Sequence, residues 1–266
     1  TGEYWCAYRF VEHTVAIDTV QNPAQAYEAA RAFGRFQRQL SDLDPALIVK
    51  TIPFFHHLAR RYEAFELAIA ADCCGRLLEV GPEVEFVLSR KSLAAPVLKA
   101  LESGDLPLRV IHNDTKVNNV LLDERSGEGL CVIDLDTVMP GAVIYDFGDM
   151  VRTFTSPADE DEKDLAKVCM RMEIFEALAQ GYLREAHAFL TPVERSMLVY
   201  GAQLLTMLMG IRFLTDYLVG DVYYKIYRPT HNLDRCRTQL ELLRHLEKAA
   251  TEMENIVRKF SPQART

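Results

Sequence analysis

Apolar positions along this chain recur at two periods, and the change from one to the other divides it. Tyr4–Val11 alternates bulky residues and is rich in aromatics, which predicts a strand. Pro23 then opens a stretch whose Ala26, Ala29, Ala30, Phe33, Phe36 and Leu40 fall on one stripe, predicting a helix over Ala24–Leu40. A loop is expected around Asp42–Pro53. Helical patterns resume from about Leu58 to Ala71 and from Glu83 to Leu101, and Leu108–His112 is a short β-rich run. Asn119–Asp123 and Leu130–Asp134 read as two strands around Glu124–Gly129, where Ser-Gly and a second Gly signal a turn. From about Asp161 to Phe260 the pattern is helical, broken near Thr191–Pro192 and at Gly220–Asn232, with the acidic run Asp159–Asp164 read as a solvated helix start. Strand, helices, hairpin and many helices make an α+β chain that is mostly helical.

The longest apolar region, Met197–Leu218, is interrupted by Gln203, Arg212 and Asp216. Two formal charges are costly in lipid, so it predicts a buried core helix rather than a membrane span. The net charge of −8 argues against nucleic acid or an anionic membrane as partner, since both need a basic face. A nucleotide stays compatible, because one metal ion and one or two local cations meet its few phosphates. None of the six cysteines lies in C-x-x-C, which speaks against a zinc ribbon or thioredoxin-like site. No signal-like N-terminus is visible, so reduced thiols and a cytoplasmic location are expected.

The chemistry concentrates in Val110–Arg152. His112-x-Asp114 is followed by Asn119 five residues after the aspartate, then by Ile133-Asp134 after the hairpin. Phosphoryl transfer needs a carboxylate to position the acceptor hydroxyl and take its proton, and oxygen ligands for the metal that neutralises the phosphates. In a symmetric hairpin Asp123 faces Leu130 and Asn119 faces Asp134, so two oxygen ligands share one end of adjacent strands. A one-residue slip would turn one of them to the other face.

This segment resembles the catalytic and metal-binding loops of the aminoglycoside phosphotransferase and choline kinase superfamily, relatives of the protein kinases. The resemblance implies Asp114 as catalytic base, Asn119 as metal-ligating asparagine, Asp134 as the metal-holding aspartate and His112 as the loop histidine. It implies ATP and Mg²⁺ as cofactors. Within the superfamily the chain resembles the N-acetylhexosamine 1-kinase group through HNDTKVNNVL, VIDLDTVMPG with YDFGDMVR, GIRFLTDYLVGDVYY and HNLDRCRTQLEL, which together span most of its length. That implies an amino-sugar substrate phosphorylated on its anomeric hydroxyl. Kinases for an aminoglycoside, choline or homoserine stand as alternatives; an aminoglycoside pocket should be strongly acidic and a choline pocket an aromatic cage. A non-catalytic kinase-like module need not keep both base and metal ligands. A sulfatase lacks its nucleophile here, since no cysteine sits in C-x-[S/P]-x-R.

Around this centre, Lys116 either approaches the γ-phosphate or is a solvated loop lysine. Asp136 is either a further metal carboxylate or a structural one. Asp146 and Asp149 resemble the aspartates that brace the loop. Arg212, in a strongly apolar helix, needs an anion or several acceptors: either Asp216 four residues on, or substrate oxygens. His56 matches a family-like segment as a core or supporting histidine near the substrate. His231 and Asn232 read as helix caps. Tyr223, Tyr224 and Tyr227 either wall a sugar pocket or pack. The resemblance also frames the whole as a protein-kinase-like C-terminal lobe over residues 13–266. It is preceded by a 1–12 remnant of the last N-lobe strand and the hinge, where Phe10, Val11 and Glu12 would meet adenine. No lysine or glycine-rich loop precedes them, so the chain is expected to lack most of the ATP-covering lobe and to bind ATP poorly alone.

Overall fold

The computed structural model describes Gly2, Trp5 and residues 7–261. Within them lie β1 (Thr14–Val15), α1 (Pro23–Gln39), α2 (Leu58–Ala71), α3 (Gly81–Leu88), α4 (Ala95–Glu102), β2 (Arg109–Ile111), β3 (Val120–Asp123), β4 (Gly129–Val132), β5 (Met139–Gly141), α5 (Val143–Thr155), α6 (Met172–Ala186), α7 (Pro192–Ser196), α8 (Leu198–Leu218) and α9 (His231–Phe260). The strands form two small antiparallel sheets, β1-β3-β4 and β2-β5. The fold is the mostly helical α+β class that the pattern predicts.

α1 starts where its sequence says it should. The Asn22 side chain accepts from the Gln25 N–H (3.1 Å) and Pro23 supplies a preset first helical φ. Its buried face, Ala26, Ala29, Ala30 and Phe33, packs on α6. α8 lies among α2, α5 and α9. It is long and apolar enough to cross a membrane by length and composition, and 72% of its most apolar window is buried inside the fold.

α5 carries Asp146 and Asp149, and glycine sets its approach to α8. A Cβ built on Gly148 would stand 2.3 Å from the Gly201 carbonyl oxygen, and one on Gly201 would stand 2.3 Å from that of Ile144. The two backbones touch, which no other residue pair allows.

Four local expectations differ from the structure. The strand expected over Tyr4–Val11 is absent over residues 7–11, while Tyr4 and Cys6 lie outside the described residues. Tyr8 and Phe10 are exposed, and among the described residues no neighbouring strand takes up the backbone hydrogen bonds of this run. The helix expected over Glu83–Leu101 is two helices joined by a 3₁₀ turn at Lys91–Ala94, because Pro96 has no N–H to continue a helix and instead opens α4. The acidic run Asp159–Asp164 does not start an α-helix. Glu160 pairs with Arg152, Asp161 with Arg228 and His231, and Asp164 caps a 3₁₀ turn at Leu165–Lys167. Asn232 does not cap α9: its side-chain amide is buried and donates to Asp216 (2.9 Å) and Asp221 (2.8 Å), while His231 Nδ1 accepts from the Tyr227 N–H.

Candidate active site

The segment from His112 to Asn119 leaves β2, and α5 holds it from below. Asp146, fully buried, accepts through Oδ2 from the His112 N–H (2.8 Å) and Gln37 Nε2 (2.7 Å), and through Oδ1 from the Asn113 N–H (2.7 Å). Thr115 Oγ1 donates to the Asp146 carbonyl (2.7 Å), and the Thr115 N–H donates to Asp149 Oδ2 (3.0 Å). One turn of helix thus holds His112, Asn113 and Thr115 through four bonds, in a loop that would otherwise be free to move. Burial pushes the Asp146 carboxyl up, yet three N–H donors aimed at its two oxygens call for the ionised, acceptor-only form. For Asp149 burial pulls the same way, but the Arg152 guanidinium and the Lys116 ammonium hold it below the usual range. Arg152 donates to Asp149 Oδ1 through Nε (3.0 Å), so this buried pair is satisfied on both sides.

His112 is locked by two ring bonds. Nε2 donates to the Ile133 carbonyl (2.9 Å) and Nδ1 accepts from the Asp114 N–H (3.3 Å), which sets the tautomer. Phe33 and Phe36 stand edge-on to the ring. Asn113 adopts a left-handed φ of 66°, a conformation asparagine tolerates, and its side chain donates to the Thr137 carbonyl (3.1 Å). Thr137 Oγ1 returns a bond to the His112 carbonyl (2.8 Å). The 112–119 loop and the 133–137 segment are therefore tied together at three points.

The hairpin register differs from the symmetric one. Val120 faces Val132, Leu121 faces Cys131, and a bulge follows before Leu122–Gly129. Asn119 lies level with Ile133, whose N–H donates to its carbonyl (2.9 Å), rather than with Asp134. The extra residue is Leu130 in β4, left without a partner between the Leu121–Cys131 and Leu122–Gly129 pairs, and the turn beyond closes through Gly127 in a left-handed conformation (φ 73°). Asp134 has already left the strand in a left-handed conformation (φ 60°, ψ 62°), so its side-chain direction is set by this turn and not by the strand pleat.

Asp114 is half-buried. Its Oδ1 pairs with Lys116 Nζ (3.0 Å), and Asn119 Nδ2 donates to its carbonyl (2.8 Å) and to Oδ2 (3.2 Å). Burial would lower the Lys116 ammonium, but Asp114 and Asp149 hold it above its ordinary value. The amide nitrogen of Asn119 is committed to Asp114, which leaves its oxygen as the donor atom. The carboxylates of Asp134 and Asp136 are exposed and make no hydrogen bond or ion pair among the described residues. Hard oxygen donors without internal partners fit a magnesium ion. Among the described residues no three His, Cys, Asp or Glu side chains form a metal-binding group, so a metal here would complete its shell with the Asn119 oxygen, phosphate oxygens and water.

A cavity of about 340 Å³ is lined by Phe55, Arg61, Arg212, Asp216, Tyr223 and Tyr224 among others, and no residue of the 112–119 loop belongs to its wall. His56 stands between the two, its Nε2 bonded to the Asn113 carbonyl (3.1 Å) and its ring against Phe55 and Tyr145. Burial lowers its pKa to about 4. Arg212 and Asp216 share the cavity wall but form no ion pair. The Asp216 carboxylate is taken by the N–H groups of Val222, Tyr223 and Tyr224 (2.8–3.0 Å) and by Asn232. The i,i+4 pair fails because the loop after α8 claims the carboxylate first. Arg212 instead lies 5.4–5.6 Å from the ring centres of Phe55, Tyr223 and Tyr224, with Met209 Sδ as its one hydrogen-bond contact (3.6 Å). Tyr227 is exposed and outside this wall.

Phe10, Val11 and Glu12 reach the hairpin at its turn end. There Thr14 bonds back to the Val11 carbonyl and the Glu124 N–H donates to the His13 carbonyl (3.0 Å). Three residues of this region went unmarked in the sequence: Arg61, Gln37 and Arg152. The last carried a signal, since it stands three residues after Asp149 on a helix. Gln37 carried none, because its partners Asp146 and Tyr182 are distant in sequence, and Arg61 carried none, because it bonds the backbone carbonyls of Phe54 and Phe55, which no side-chain pattern marks.

A family model described as APH, phosphotransferase enzyme family, matches residues 1–195. Among solved structures the chain is similar to a choline/ethanolamine kinase family protein from Mesorhizobium loti (16% identity, 94% of this chain and 73% of that one, TM-score 0.47). It is also similar to a choline kinase from Cryptosporidium parvum Iowa II (12% identity, 92% and 73%, TM-score 0.43). Both similarities are too loose to bear on substrate.

Proposed function

The chain belongs to the phosphotransferase enzyme family, and from that premise we propose that it transfers the γ-phosphoryl group of ATP, with Mg²⁺, to the anomeric hydroxyl of an N-acetylhexosamine. In this reading Asp114 orients the hydroxyl and accepts its proton, and Lys116, paired with that carboxylate, lies where it can meet the γ-phosphate. His112, Asp146 and Asp149 keep the loop backbone in place. Mg²⁺, held through the Asn119 oxygen and Asp134 with Asp136 alongside, would neutralise charge on the β- and γ-phosphates. Residues 1–12 act as the end of an N-lobe and its hinge, with Phe10, Val11 and Glu12 against adenine, and residues 13–266 as the kinase-like C-terminal lobe.

The observation that carries the acceptor class is Arg212. Phe55, Tyr223 and Tyr224 make the aromatic surround that a quaternary ammonium would need, and the guanidinium of Arg212 already fills it. The one carboxylate on the wall, Asp216, is used up by backbone N–H groups. A cationic choline or aminoglycoside would meet Arg212 and Arg61 with no free carboxylate to answer its charge. A neutral, oxygen-rich sugar finds donors there, with His56 and Asp216 holding the wall in shape.

ATP consumption by the full-length protein, measured with N-acetylglucosamine, N-acetylgalactosamine, choline and an aminoglycoside, tests this reading. The hexosamines are expected to be turned over, with phosphorus NMR placing phosphate on C1. Turnover of choline or the aminoglycoside in preference to both sugars would overturn it. Asp114→Asn should lower kcat about 10²–10⁴-fold with acceptor KM nearly unchanged; a variant that keeps its kcat would remove Asp114 from the role of base.

A further inference from the structure

The turn after α2 places two adjacent cysteines at the surface. Asp72 ends the helix in a left-handed conformation, its Oδ1 accepts from the Leu77 N–H (3.1 Å), and the Gly75 N–H donates back to the Asp72 carbonyl (3.0 Å). This tight turn turns both thiols the same way. Cys73 Sγ and Cys74 Sγ are 3.8 Å apart, both residues exposed. A tetrahedral centre with metal–sulfur bonds of about 2.3 Å holds its two sulfurs about 3.8 Å apart. The pair already has the separation of a tetrahedral soft-metal chelate, and a pyramidal arsenic(III), with its narrower S–As–S angle, draws the two sulfurs only slightly closer, whereas a disulfide would need about 2.05 Å.

The second observation is what the thiols rest on. Cys73 Sγ donates to the Leu218 carbonyl (3.7 Å), and a Cβ placed on Gly220 would stand 3.1 Å from Cys74 Sγ. Arg76, from the same turn, donates to the Tyr217 carbonyl (2.6 Å) and to Asp221 Oδ2 (2.6 Å). The dithiol turn is therefore docked on the end of α8 and on Gly220–Asp221. The next three residues, Val222, Tyr223 and Tyr224, hang from Asp216 and wall the cavity that holds Arg212.

We infer that Cys73 and Cys74 form a vicinal dithiol site for a thiophilic centre, a trivalent arsenical or a soft metal ion, bound through both sulfurs, and that its occupancy loosens the 222–224 wall. With a monosubstituted arsenic(III) oxide, both S–H bonds and the As=O bond break and two As–S bonds form. The two thiol protons leave with the oxygen as water, and no oxidant is involved. Ligation withdraws Cys73 Sγ from the Leu218 carbonyl and puts a bulky group against Gly220, two residues before the 222–224 wall.

Phenylarsine oxide added to the purified chain tests the site. Intact-mass measurement is expected to show a one-to-one adduct with loss of one water, resistant to 2-mercaptoethanol and reversed by dithiothreitol. Cys73→Ser and Cys74→Ser should each lose this resistant adduct, because one sulfur cannot chelate. An adduct that survives in either variant, or that the monothiol removes from the native chain, overturns the site. Hydrogen exchange reads the second half without reference to any enzymatic activity: the amides of Val222, Tyr223 and Tyr224 should exchange at least several-fold faster in the adduct. If the adduct forms and their exchange is unchanged, the coupling is wrong.

Discussion

At the scale of single residues, the centre is built from groups whose burial fixes their state. His56 is buried and its pKa is lowered to about 4 by loss of solvent, with a single bond to the Asn113 carbonyl and Nδ1 unpartnered. An unfolded histidine titrates near 6.5, so the unfolded chain binds the extra proton first as pH falls. The stabilisation from a neutral His56 is complete above about pH 6.5 and is lost progressively between 6.5 and 4, roughly 3 kcal/mol in all. His56→Gln, which keeps a donor for Asn113, should flatten the acid slope of urea-unfolding stability over that window. An unchanged slope would mean that other groups cause it. Arg212 gives a kinetic prediction. If it bonds acceptor oxygens, Arg212→Ala removes a charged hydrogen bond and should raise acceptor KM about 10- to 100-fold while ATP KM moves little. Equal rises in both constants would show that it only shapes the fold.

At the scale of elements, α5 is both a core helix and the platform of the loop, and its seat on α8 is glycine against glycine. Gly148→Ala or Gly201→Ala sets a methyl group against a carbonyl that cannot step aside. Either should cost about 1–3 kcal/mol, a fall of roughly 2–5 °C in Tm for a chain of this size. Gly81 has open space around its would-be Cβ and sits at the start of α3, so Gly81→Ala should leave Tm within about 2 °C. Circular dichroism melts of the three variants make the comparison, and a neutral Gly148→Ala would refute the close-contact account. The pattern predicted α1 to within one residue and α2 without error, because caps and stripes are local. It missed the break at Lys91–Ala94, though Pro96 was in plain view. It placed the hairpin but not its register, since the bulge at Leu130 in β4 has no local signature.

At the scale of the whole molecule, the N-terminal run is the least integrated part of the described chain. Phe10 is 84% exposed, and surface substitutions away from caps and pairs change stability by no more than about 0.5 kcal/mol. Phe10→Ala should therefore leave Tm nearly unchanged while raising ATP KM, if this run meets adenine; a marked loss of Tm would make it part of the core instead.

The sequence by itself determined the helical α+β class, the burial of the long apolar helix and membership of the phosphotransferase enzyme family. Those follow from period, from the cost of charge in an apolar phase and from residue types that must stand close together along the chain. Tertiary structure alone decided what Arg212 and Asp216 do, where Asp134 leaves its strand, and that Asp146 and Asp149 hold one loop through four backbone and side-chain bonds. These are competitions for partners that no helical or strand period brings together, six to eight residues on for Asp216 and more than thirty residues away for Asp146 and Asp149. The winner depends on which donor the packed helices bring within about 3 Å, and that distance is not written in any local pattern.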